Sequence, residues 1–124
     1  MNERILLIED DLNQQILYEQ ELVQEKYQVV LASSAQEALD YLKKQTFDLI
    51  ILDICMPGKD GIEALSEIME LNNKIPVIIN TAYGTYKENF LTWSAEAYVV
   101  KSSDLTELKT TIRNVIDRNK AGVD

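Results

Sequence analysis

Short apolar runs alternate along the chain with stretches whose apolar residues recur every three or four positions. The runs have strand length and are mostly aliphatic or β-branched, and they lie at 5–8, 27–32, 49–52, 76–80 and 97–100. In the stretches between the runs, the apolar residues have the spacing of amphipathic helices. It predicts four helices and a less regular fifth over 84–93. The first helix is expected to bury an apolar face made of Leu12, Ile16, Leu22 and Val23.

Strict alternation of strand and helix predicts a parallel sheet with helices on both faces, because each return to a parallel strand requires a crossover. The strands are continuously apolar, as expected for burial on both sides. The predicted fold class is therefore α/β and doubly wound. For five strands of this kind we take the order 2-1-3-4-5. Two helix starts have the spacing of a capping box, at Ser34 with Glu37 and at Asp104 with Glu107.

Acidic residues stand at the ends of two of these strands. The first strand runs into Glu9, Asp10 and Asp11, and the third ends at Asp53. In an open parallel sheet, ligands bind beyond the carboxyl ends of the strands, where the chain reverses its winding direction. For this strand order, that point lies between strands 1 and 3. We therefore expect three or four carboxylates to converge there.

Converging carboxylates need a cation to offset their mutual repulsion. The chain has no His and one Cys, which leaves all-oxygen ligation, the preference of Mg²⁺ or Mn²⁺. Mg²⁺ also bonds phosphate oxygens, so the acids indicate phosphoryl chemistry, with Asp53 itself as a candidate nucleophile. The hydroxyl of Thr81 and the ammonium of Lys101 stand at the ends of strands 4 and 5. They are candidates to contact the phosphoryl oxygens.

The overall composition narrows the functional classes. The 124 residues fit one domain, 1–124, and the net charge of -9 disfavours direct binding to nucleic acid or to an anionic membrane. A single Cys excludes an internal disulfide, and no apolar run reaches the length of a membrane span. The first residues lack the pattern of a signal sequence, so the expected location is the cytoplasm.

Four motifs together resemble the receiver domains of two-component response regulators. They are "ILLIEDD", "DLIILDICMPGKDGIE", "VIINTAYG" and "AEAYVVK", in the family's order and over essentially the whole chain. The resemblance implies a flavodoxin-like fold with five helices and a phosphoryl group accepted by Asp53. It also implies a Mg²⁺ site, in which Mn²⁺ can substitute, made of Glu9, Asp10, Asp53 and the backbone carbonyl of Cys55.

The same resemblance implies a switch. A partner sensor histidine kinase or histidine phosphotransfer protein supplies the phosphoryl group, since this chain has no His. Thr81 and Lys101 then move toward the phosphorylated Asp53, and the rotamer of Tyr98 follows. The fourth helix, fifth strand and fifth helix present an altered surface to a downstream protein, an effector domain or a second copy of the chain. Catalysis is limited to the chain's own phosphoryl transfer and autodephosphorylation.

Two departures from the family pattern bear on that surface. Ser102 follows Lys101 where the family commonly has Pro in a cis bond. We expect a trans bond here, because a cis bond before any other residue is costly. The segment between Thr81 and Lys101 is also shorter than usual, so the fourth helix is expected to be short or displaced.

Two alternatives fit part of this pattern. A phosphatase of the haloacid dehalogenase type also uses an aspartate nucleophile, but it needs a second acid two residues on, where this chain has Cys55. A degenerate receiver, which binds proteins without being phosphorylated, is the closer alternative. The complete set of site residues favours an active receiver over both.

Overall fold

The computed structural model describes residues 2–53, 61–82 and 95–121. Within these ranges the chain forms five strands and four helices. They are β1 (Arg4–Ile8), α1 (Leu12–Gln24), β2 (Gln28–Ala32), α2 (Ala35–Lys44), β3 (Leu49–Leu52), α3 (Gly61–Leu71), β4 (Val77–Thr81), β5 (Ala97–Val100) and α4 (Thr106–Ala121). All five strands begin and end within one residue of the predicted positions. The less regular helix predicted over 84–93, which is fourth in chain order, lies outside the described residues. The structure's α4 therefore corresponds to the last predicted helix, which is fifth in chain order.

The five strands form one parallel sheet in the order β2-β1-β3-β4-β5. The predicted α/β fold class and strand order are therefore confirmed. The winding direction reverses between β1 and β3, which are direct neighbours with Ile8 opposite Leu52. The residues that follow these two strands consequently lie side by side at the carboxyl edge of the sheet.

Alternate strand residues pack against different helix layers. In β1, Leu6 and Ile8 belong to the core on the side of α2 and α3, together with residues such as Leu65. Ile5 and Leu7 belong to the core on the opposite side, with residues of α1 and α4. Both sheet faces are thus covered, which explains why the strands are mostly apolar on both faces instead of alternating apolar with polar residues.

The buried face of α1 differs from the predicted one. Of the predicted apolar face only Leu22 is buried, whereas Leu12, Ile16 and Val23 are 67%, 47% and 53% exposed. The helix instead turns Gln15, Tyr18 and Leu22 toward the sheet. Two of these side chains have polar ends, and both ends find hydrogen-bond partners at the carboxyl edge, so their burial carries little penalty.

Side-chain caps fix where the helices begin. The Asp11 carboxylate accepts hydrogen bonds from the backbone N–H groups of Asn13 and Gln14 at the start of α1. The predicted Ser34 cap is confirmed, since its hydroxyl accepts from the N–H of Glu37 at 3.1 Å. At the start of α4, the carboxylate of Asp104 accepts from both the N–H and the hydroxyl of Thr106.

Two further predictions can be compared with the described ranges. No cis peptide bond occurs in them, so the bond between Lys101 and Ser102 is trans as expected. None of the helices in those ranges combines the length and the apolar character needed to cross a bilayer.

Candidate functional site

Three carboxylates meet at the carboxyl edge of β1 and β3. Glu9 and Asp10 follow β1, and Asp53 follows β3. The ladder extends one step past both strands, because the N–H of Asp53 donates to the carbonyl of Ile8 at 3.1 Å. One carboxylate oxygen from each acid lies within 4.8 Å of the others. We call these three residues the acid cluster; their predicted convergence is borne out.

Lys101 bridges the two buried members of the acid cluster. Its Nζ lies 2.7 Å from Oε1 of Glu9 and 3.0 Å from Oδ2 of Asp53. Glu9 and Asp53 are 1% and 6% exposed, so the pairing takes place largely away from water. A charge-assisted contact of this kind is stronger than a neutral hydrogen bond and offsets part of the cost of burying the two carboxylates.

The pKa values of Glu9 and Lys101 reflect this environment. Burial raises the pKa of Glu9, and the hydrogen bonds from Lys101 and from the N–H of Asp11 oppose the rise. Burial would by itself lower the pKa of Lys101, but its hydrogen bonds to Glu9 and Asp53 outweigh that effect and raise it. Lys101 therefore stays positively charged at neutral pH.

The remaining site residues predicted from the sequence occupy β4, β5 and the loop after β3. Thr81 is the last residue of β4 and is fully buried, and its carbonyl accepts from the N–H of Lys101 at 2.7 Å. Tyr98 lies inside β5 opposite Ile79 and packs against the core on the side of α2 and α3. Cys55 falls outside the described residues, so the metal-binding role of its carbonyl stays a prediction.

Three buried polar residues near the edge were not singled out from the sequence. The Gln15 side-chain amide donates to the backbone carbonyl of Glu9 and, at 3.1 Å, to the hydroxyl of Ser33. Tyr18 and Asn80 contact each other through their side chains. For Asn80, the available signal was a polar residue in a strand of mostly apolar residues. The burial of Gln15 and Tyr18 depended on which face of α1 points inward.

The donor set fits a divalent cation with a preference for oxygen. The acid cluster and Lys101 together leave a formal charge of -2, from three carboxylates and one ammonium. Mg²⁺ takes one or two carboxylates, keeps several waters and bonds phosphate oxygens. Two buried carboxylates and an exposed third, that of Asp10, offer oxygen atoms of the kind that such an ion takes as ligands.

Comparison with known proteins identifies the family. The sequence matches the response regulator receiver domain over residues 5–113. This chain belongs to that family. The resemblance inferred from the four motifs is therefore confirmed, and the acid cluster is the carboxyl-edge site of a receiver domain.

Two curated relatives differ in how much of their length this receiver domain spans. It is 35% identical to the transcriptional regulatory protein ZraR of Escherichia coli over 114 residues, which is 90% of the chain but 26% of ZraR. It is 33% identical to sporulation initiation phosphotransferase F of Bacillus subtilis over 118 residues, covering 94% of the chain and 95% of that protein. The chain thus spans about a quarter of one relative and nearly all of the other.

A solved receiver structure matches both fold and sequence. The response regulator TrrA from Thermotoga maritima, in complex with Mg²⁺ and BeF, is 37% identical and superposes with a TM-score of 0.87. The match covers 91% of this chain and 98% of TrrA. TrrA in complex with the histidine kinase ThkA also matches, with a TM-score of 0.85.

Proposed function

We propose that this receiver domain accepts a phosphoryl group on Asp53 and acts in a two-component phosphorelay. The observation that carries the proposal is the buried Asp53 carboxylate, held by the ammonium of Lys101 beside two further acids. A carboxylate placed in this way is a nucleophile whose neighbours can stabilise transferred charge. The proposal extends to the whole chain, 1–124, as one receiver domain.

The transfer step is a displacement at phosphorus. An oxygen of Asp53 forms the new P–O bond while the P–N bond of a phosphohistidine breaks and its electron pair returns to the imidazole of the donor. The donor histidine lies outside this chain, which contains no His. Glu9, Asp10 and Asp53 would hold Mg²⁺, and its charge would offset that of the phosphoryl oxygens.

Lys101 and Thr81 would respond to the new charge. Phosphorylation adds about -1.5 to -2 at neutral pH. Because Lys101 Nζ already bonds an oxygen of Asp53 at 3.0 Å, it can bond a phosphoryl oxygen on the same side chain with little movement. Thr81 would follow with its hydroxyl, and the rotamer of Tyr98 on β5 would change with it. The resulting surface on β5 and α4 would be read by a downstream protein, an effector domain or a second copy.

The partner surface that we propose is the outer face of α1. Leu12 and Ile16 are 67% and 47% exposed, and they lie in the first two turns of the helix, next to the acid cluster. Exposed apolar side chains at this place suit a partner that must bring a phosphohistidine to Asp53. The complex of TrrA with a histidine kinase supports the same class of partner. The cytoplasmic location stays a prediction.

The decisive experiment is the intact mass of the purified protein after incubation with acetyl phosphate, with and without Mg²⁺. A single phosphoryl adduct that requires Mg²⁺ and is absent from Asp53→Asn is expected. Asp48→Asn is the matched control, since Asp48 is an exposed acid at the opposite end of β3. If the folded protein binds Mg²⁺ but never gains the adduct, the degenerate protein-binding receiver becomes the better description.

A further inference from the structure

A buried polar contact joins α1 to β4 directly below the functional site. Tyr18 on α1 and Asn80 on β4 are each 3% exposed, and the side chain of Asn80 hydrogen-bonds the hydroxyl of Tyr18. Neighbouring β4 residue Ile78 belongs to the core on the side of α1 and α4. Asn80, two positions along the strand, points to the same side.

The contact is close to the charged groups of the site. Glu9, Asp53 and Lys101 all act electrostatically on the Tyr18 hydroxyl, which places it within reach of the three charges. The strand pattern agrees, since Glu9 and Asp53 continue the alternation of the β1 and β3 residues that face α1. Tyr18 and Asn80 therefore form part of the floor of the site.

The position of Asn80 determines the position of two site residues. Asn80 immediately precedes Thr81, and β4 pairs with β5 through Asn80 opposite Val99 and Thr81 opposite Val100. The next step of the ladder is the 2.7 Å hydrogen bond from the N–H of Lys101 to the carbonyl of Thr81. A displacement of Asn80 would thus be transmitted to both Thr81 and Lys101.

Polar side chains at these two positions cost more to bury than apolar ones of similar size. A hydroxyl and an amide in a protein interior must be hydrogen-bonded to avoid a desolvation penalty. Phe and Leu would fill the same space between α1 and β4 without that requirement. The polar pair fixes the position of α1 relative to β4, because a hydrogen bond tolerates far less sliding between helix and strand than an apolar contact does.

We propose that Tyr18 and Asn80 are a positioning pair for phosphoryl transfer. Their contact fixes the ends of β4 and β5 against α1, and these ends carry Thr81 and Lys101. The inference rests on the proposed function of Asp53 and deepens it. Neither Tyr18 nor Asn80 touches the transferred group; they act through the residues that do.

The test compares Tyr18→Phe with wild type in two separate measurements. The first is the rate constant of phosphorylation by acetyl phosphate at saturating Mg²⁺, followed by intact mass. The second is the dissociation constant of Mg²⁺, measured by isothermal titration. We expect the rate constant to fall roughly 3- to 10-fold, which corresponds to the loss of a constraint on Thr81 and Lys101 worth about one hydrogen bond. The Mg²⁺ dissociation constant stays within about twofold, because no metal ligand is changed.

Two further variants separate positioning from stability. Tyr27→Phe is the matched control, because Tyr27 is also buried, at 6% exposure. Its hydroxyl lies 3.4 Å from Arg113, away from the carboxyl edge of the sheet. It is expected to phosphorylate at the wild-type rate. Asn80→Leu is expected to slow the reaction as Tyr18→Phe does. The double variant is expected to be no slower than the slower single one, since both remove the same contact.

Several results would overturn the inference. One is a Tyr18→Phe protein that, like Tyr27→Phe, phosphorylates at the wild-type rate, which would make the contact merely structural. Another is a parallel loss of Mg²⁺ affinity and rate, which would place the effect in the metal site. A wild-type protein that gains no phosphoryl group would overturn the proposed function and this inference together, and the wild-type measurement alone identifies that case.

Discussion

Replacing Lys101 by Met removes the ammonium between Glu9 and Asp53 while keeping most of the side-chain length. The two carboxylates are 1% and 6% exposed and have oxygens within 4.8 Å of each other. At an effective dielectric constant of 20, two unit charges at this distance repel by about 3.5 kcal/mol. Breaking a buried ion pair typically costs a similar 3 to 5 kcal/mol. Because burial already raises the pKa of Glu9, its carboxylate can take up a proton in the variant, which limits the loss of stability. We expect Lys101→Met to lower the free energy of unfolding by about 3 kcal/mol.

Urea unfolding in EDTA at neutral pH, followed by circular dichroism, measures this loss. Repeating the titration in Mg²⁺ should reduce the difference between variant and wild type, because a bound cation takes over the neutralisation of both carboxylates. Lys109→Met is the control: its Nζ lies 2.7 Å from Glu21, but both side chains are partly exposed. Solvent screens a pair of this kind, so we expect Lys109→Met to change the free energy of unfolding little or not at all.

Lys101→Met must be clearly less stable than Lys109→Met in EDTA, and the gap must narrow with Mg²⁺. If Lys101→Met unfolds at the wild-type urea concentration without metal, the two carboxylates are not held together by the ammonium. If the loss is the same with and without Mg²⁺, the metal does not share the acid cluster with Lys101.

Three further predictions concern pH, capping and metal. Hydrogen bonds from Lys120 and Arg113 lower the pKa of Glu3 from 4.5 to about 2, so its stabilisation is present above pH 4.5 and is lost as the pH falls toward 2. The side chains of Lys120 and Arg113 are 60% and 43% exposed, so solvent screens both contacts. We expect Glu3→Gln to lower the free energy of unfolding by about 1 kcal/mol at pH 7 and not at all near pH 2, as measured by urea titration. A loss that is independent of pH would contradict this prediction. Ser34→Ala should lower the unfolding free energy by about 1 kcal/mol without slowing phosphorylation, and an unchanged urea midpoint argues against the cap. Asp10→Asn should weaken Mg²⁺ binding roughly tenfold in isothermal titration; unchanged affinity would exclude Asp10 as a ligand.

The strands and the acid cluster could be predicted because local sequence determines them. A run such as 49–52, buried on both faces, has no other place in a small domain, and parallel topology then brings Glu9 and Asp53 together. The inward face of α1 could not be predicted in the same way. Polar Gln15 and Tyr18 are buried there and apolar Leu12 is exposed, because hydrogen-bond partners on other strands decide which side chains can be buried.

Lys101 shows the same limit at the site itself. Its place at the end of β5 follows from the strand order, but its double contact with Glu9 and Asp53 depends on side-chain geometry that no pattern encodes. Asn80 is a similar case, since a polar residue near the end of a strand has no evident role until the residue facing it is known. Tyr18 on α1 supplies that partner.

The bridge made by Lys101 also bears on how the chain is made. Its partners lie 92 and 48 positions earlier, so during synthesis the acids of β1 and β3 leave the ribosome long before the cation that compensates them. Contacts between such distant positions slow folding, because a long loop must close before they form. A nascent chain that ends before β5 holds two carboxylates which repel each other wherever the first three strands meet. Completion of the fold is thereby tied to the arrival of the last strand.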